Sequence, residues 1–135
     1  MKTIRLCALG LVAGITGCSF AARSPDMYRD DTQALLETKA PQIKSCYDEA
    51  LKTQKDLQGR VTVKLLVEHD TGAVKNVTAD PAGTTAPETL TKCVVDSLQG
   101  LVLAPPDKRD GDASFVYEFT VGAPPAPAPA PAPAG

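Results

Sequence analysis

The chain has 135 residues, with 14 Lys and Arg against 16 Asp and Glu and a net charge of −2. So even a balance, with no run of like charge, excludes the clustered basic face that nucleic-acid binding requires. A single His and four Cys, with no Trp, leave a zinc site short of good ligands.

Lys2 and Arg5 make a positive start, Leu6 to Ile15 an apolar stretch and Thr16-Gly17 a small-residue end. Together these read as an export signal over residues 1–17. The apolar run is shorter than the roughly 20 residues that span a bilayer. Ile15-Thr16-Gly17-Cys18 resembles the lipobox of bacterial lipoproteins, in which a branched and two small residues precede the lipidated cysteine. That resemblance implies cleavage before Cys18 and a membrane anchor through lipid on Cys18. An ordinary signal peptide with a chance cysteine is the alternative. Ser19, rather than aspartate, resembles the pattern of lipoproteins sorted to the outer membrane, with the periplasmic face expected. Without Lys2 and Arg5, 12 basic residues would face the 16 acidic ones.

Residues 18–30 read as the lipidated N-terminus and a polar tether, and residues 31–122 as one small domain. Asp30 or Asp31 is placed to cap a helix starting near Thr32. Pro41 either kinks that helix or starts a second. Ile43, Cys46, Tyr47, Ala50 and Leu51 then recur at i, i+3, i+4, i+7 and i+8, one face of an amphipathic helix. From Arg60 to Glu68, Val61, Val63, Leu65 and Val67 alternate with Thr62, Lys64 and Glu68 as a strand. Asp70-Thr71-Gly72 makes a turn, and a return strand runs from Ala73 to about Ala79. Its apolar positions slip phase between Val74 and Val77, the mark of a β-bulge.

Pro87 and Glu88 open another helix. Leu90, Cys93, Val94, Ser97 and Leu98 repeat the earlier stripe, with the cysteine again in second place, so both cysteines are expected on buried faces. With Cys7 lost and Cys18 lipidated, Cys46 and Cys93 remain in an exported chain, where a disulfide is expected. By the chain-entropy model it would contribute roughly 4 kcal/mol. Two buried free thiols are the alternative. Phe115, Tyr117, Phe119 and Val121 alternate as a third strand. Residues 123–135, almost pure Ala-Pro and holding half of the 12 prolines, read as a disordered polyproline II tail that joins no sheet.

The fold class expected is α+β, with two helices on one face of a three-stranded antiparallel sheet in the order α-β-β-α-β. Ile43-x-x-Cys46-Tyr47-x-x-Ala50-Leu51, Leu57-x-Gly59-Arg60-Val61-x-Val63, Gly72-x-Val74, Cys93-Val94 and Tyr117-x-Phe119 resemble the AgmX/PglI C-terminal domain over roughly residues 31–121. That family is a relative of the TonB C-terminal domain in envelope proteins. The resemblance implies a TonB-like fold and a role in a trans-envelope complex, with surface motility as one process. The chain departs from the family pattern at Leu101, Leu103 and Ala104-Pro105, and at Glu118, where Tyr-Pro-Phe is usual. A lipid on Cys18 would replace TonB's motor-coupled helix, so energy transduction does not carry over.

No catalytic constellation is legible and no cofactor or small-molecule substrate is implied. His69 falls at the hairpin turn and reads as solvated. Asp107, Asp110 and Asp112 share a loop but lack calcium-loop spacing, and a solvated loop is expected. A non-catalytic protein-interaction module is therefore expected, with a structural lipoprotein of outer-membrane assembly, or an envelope enzyme or thiol-redox factor, as alternatives. The proposed partner-binding strand holds Phe115, Tyr117, Glu118 and Phe119, whose edge would accept an extended segment of an envelope protein. Coverage of that edge by the chain's own tether or tail is the competing expectation.

Overall fold

The computed structural model describes residues 22–131; the export signal and Cys18 lie outside them. Helices α1 (Pro25–Glu37) and α2 (Ala40–Thr53) precede strands β1 (Gly59–Val67) and β2 (Val74–Ala79). Helix α3 (Glu88–Ser97), strand β3 (Gly111–Phe119) and a short strand β4 (Pro127–Pro129) follow. The sheet order is β2-β1-β3-β4, antiparallel throughout. The described residues form an α+β fold as expected, but with three helices and four strands rather than two and three.

The additional helix begins inside the segment expected to be tether. Ser24 accepts the Met27 N–H at 3.3 Å, and Pro25 and Asp26 fill the first turn. A proline there gives up only an amide that a helix leaves unpaired, and an acid there complements the helix dipole. The helix therefore starts before Asp30 and Asp31. Pro41 ends the continuity, since its ring conflicts with the carbonyl of Glu37 four residues back. It lies in the first turn of α2, so Pro41 starts a second helix.

Apolar side chains of β1 and β3 form one face of the sheet, and Val61, Val63, Phe115, Tyr117 and Phe119 are wholly buried. Ile43, Cys46 and Tyr47 of α2, Leu90 and Val94 of α3 and Leu98 at its C-cap close the core over them. The Tyr47 and Phe119 rings meet at 5.1 Å, while the Tyr47 hydroxyl donates to Leu57 O at 2.5 Å. Helix α1 buries Leu36 and Thr32 and lies over β3 and β4.

Cys46 and Cys93 are joined by a disulfide between α2 and α3, 47 residues apart in sequence and 5.8 Å between Cα atoms. Cys46 is buried but Cys93 is exposed, so the bond sits at the rim of the helix pair rather than within both buried faces. The β1–β2 hairpin also carries the expected bulge. Lys64 faces Thr78 while Leu66 faces Lys75, which gives β2 one extra residue. Asn76 absorbs it at φ 51°, a left-handed conformation that Asn tolerates. At the turn, Gly72 takes φ 70°, and a Cβ there would collide with the Leu103 carbonyl.

The tail expectation is overturned. Pro127 pairs with Tyr117, Ala128 with Val116 and Pro129 with Phe115. Ala130 extends the ladder by donating its N–H to Ser114 O at 3.0 Å. The reason is a match of periods. Along an antiparallel strand every second residue hydrogen-bonds to the neighbour. Ala128 and Ala130 take those positions, and the prolines fall where no N–H is needed. An edge strand tolerates proline when its nitrogen faces away from the sheet.

Candidate partner-binding edge

β1 occupies one side of β3 along its whole length, from Gly59–Phe119 to Val67–Gly111. The opposite side is the edge singled out from the sequence. Because Ser114 O accepts from Ala130, the backbone groups of Ser114, Val116 and Glu118 point outward along that edge. Of the residues expected to meet a partner, Phe115, Tyr117 and Phe119 are buried in the core. Their side chains contact the helices, and only Glu118 shows its side chain, on the opposite face. What this edge offers is therefore backbone pairing. Val116 and Ser114, with Ala128 and Ala130 opposite, are the positions that the sequence reading passed over.

A groove of about 1120 Å³ runs from this edge across the open face of the sheet, lined by Arg60, Thr62, Lys64, Val116, Glu118 and the tail at Ala128–Pro131. Two pairs of charges meet along it: Lys64 with Asp80 at 2.8 Å and Arg60 with Glu118 at 4.0 Å. The Lys64 ammonium, hydrogen-bonded to Asp80, holds that carboxyl below its ordinary range. Thr62 is buried because the loop after β2 folds over it. Its hydroxyl donates to Gly83 O at 2.8 Å, and its N–H donates to Thr84 Oγ1 at 3.1 Å. That loop closes the end of β1 that β2 does not reach.

One end of the groove is built by a long-range clamp. Asp107, expected in a solvated loop, is only 5% exposed. It accepts N–H bonds from Arg23 at 2.8 Å and from Lys108 at 2.7 Å. The Arg23 guanidinium lies 3.8 Å from Asp107 and 2.6 Å from Asp31. Arg109 in turn donates to Arg23 O at 3.2 Å. The Arg23 amide, followed by the neighbouring loop amides, depresses the Asp107 pKa against the opposing effect of burial. The sequence held no local sign of this clamp, because its partners are 84 residues apart.

His69 is half-exposed and tied to the loop residue before β3 rather than free, with Nδ1 2.6 Å from Asp110 Oδ1. The hydrogen bond to Asp110 raises the His69 pKa, and the His69 backbone N–H lowers that of Asp110. Among the described residues, no group of three His, Cys, Asp or Glu side chains is placed to hold a metal ion. No helix among them is long and apolar enough to cross a membrane. No protein-family model, curated protein or solved structure matches the chain.

Proposed function

We propose that the protein is a lipid-anchored, non-catalytic lipoprotein of the outer membrane. Its α+β domain, of TonB C-terminal type, serves as an interaction module in a trans-envelope complex. Surface motility is the process that the AgmX/PglI resemblance suggests. Lipid on Cys18 holds the domain at the periplasmic face, and an envelope partner adds an extended segment to the β3 edge. The competing expectation, that the chain's own tail covers this edge, is met. What supports the reading is that the edge is thereby seen to hold an extended segment by backbone pairing, so a partner's segment would have to take the tail's place. Strand addition of this kind gains affinity from main-chain hydrogen bonds.

Glu118→Pro tests the proposal in the full-length lipoprotein. The Glu118 N–H points away from β1, so proline removes an edge donor and leaves the β1–β3 ladder its own bonds. Partners cross-linked in intact cells by the wild type should be lost with the variant, while the Cys46–Cys93 bond forms normally. The same partners captured in equal yield by both chains would refute strand addition at this edge.

A further inference from the structure

We infer that the outer edge of β3 is a receptor for extended peptides with proline at every second residue. The chain's own tail is its resident occupant, and a partner segment of the same pattern must displace it. This rests on the reading of β3 as a strand-accepting edge and adds the class of segment it selects.

Three observations carry the inference. Pro127 and Pro129 lie opposite Tyr117 and Phe115, on the core-facing side of the sheet where β4 meets α1, with Pro127 buried and Pro129 exposed at the strand end. Pro125 and Pro127 are buried, which makes the seated tail a packed element rather than a loose arm. Ala130 supplies its N–H to Ser114, so donors are needed only at the alternate positions. A peptide with this alternation is already extended before it binds and loses little freedom on docking. Prolines also leave the outer rim of the bound strand poor in N–H donors, which prevents a further strand from adding.

The competing segment belongs to a foreign polypeptide rather than to a second copy. A tail tethered through the short connection 120–126 has an effective concentration on the order of millimolar. An identical tail arriving from another molecule gains nothing over it, whereas a segment matched to more of the groove does.

The test uses the full-length chain carrying Ala128→Pro, which removes a ladder donor from the tail and leaves the domain unaltered. A synthetic peptide of residues 123–131 should bind this variant roughly tenfold or more tighter than it binds wild type. Binding should shift the amides of Ser114, Val116 and Glu118. A peptide with proline in place of both Ala128 and Ala130, which removes the ladder donors in every register, should not bind. If a proline-free Val-Thr strand binds equally well, the proline selectivity is overturned and the strand-accepting edge survives. If no peptide binds the variant, both fall. In wild type, the Ala130 amide should exchange with solvent more slowly than in the variant. Exchange at the free-chain rate would overturn resident occupancy, and a tail-exchanged dimer of wild type would overturn the foreign partner.

Discussion

Asp107 receives two strong backbone bonds and a guanidinium, yet it stands in a run of charged residues that reads as solvated. A carboxylate so surrounded is worth more ionised than protonated. Its folded pKa lies below the unfolded value of 3.8. The stabilisation is therefore complete above that value and is lost as pH falls through the lower folded pKa. Asp107→Asn should cost about 1–3 kcal/mol near neutrality, read by denaturant unfolding. The variant's stability should also fall less steeply with acid than that of wild type, the remaining slope coming from Asp80 and Asp110. Parallel acid limbs in the two chains would show that Asp107 carries no such linkage. Tyr117 shows the opposite economy: its hydroxyl is buried with no hydrogen-bond partner among the described residues, and burial raises its pKa.

At the scale of elements, the disulfide between α2 and α3 spans the β1–β2 hairpin and makes the two helices one unit. Closing so long a loop in the unfolded chain contributes roughly 2–4 kcal/mol in a domain whose core is small. The Cys46→Ser, Cys93→Ser chain should lose that amount, with a melting temperature lower by about 10 °C or more. A loss below about 1 kcal/mol would show that the packing of α2 on α3 suffices without the bond. These helices and the hairpin were legible because their patterns are local. Ile43 to Leu51 repeats at helical spacing, Val61 to Val67 alternates, and the phase slip at Val74–Val77 marks the bulge. Two features escape the sequence: the first turns of α1, whose polar residues read as tether, and β4, whose prolines read as unable to join a sheet. Pro25 opens α1 beneath a Ser24 cap, and the Ala-Pro repeat matches the two-residue period of an edge strand. The edge itself was found from Phe115–Val121, but its cover depends on residues whose only signal was that same period.

At the scale of the whole molecule, strand edges are covered by chain that would otherwise be loop or tail. The loop after β2 closes β1, Val102 bridges Ala73 beside β2, and β4 closes β3. The Arg23–Asp107 clamp fixes where this body sits if Cys18 carries lipid. From Cys18 to Arg23 the covalent chain reaches at most about 18 Å. The domain would then patrol a shallow layer over its own leaflet, meeting partners by lateral diffusion rather than by reaching into the periplasm. About ten Gly-Ser residues inserted after Ser19 would raise that limit roughly threefold. Cross-linking to partners in the same membrane should fall with the insertion, and an unchanged yield would show that the length of the leash is immaterial. A clamp that reads as a fold contact would thus act as a ruler, setting the height at which the receptor edge is presented.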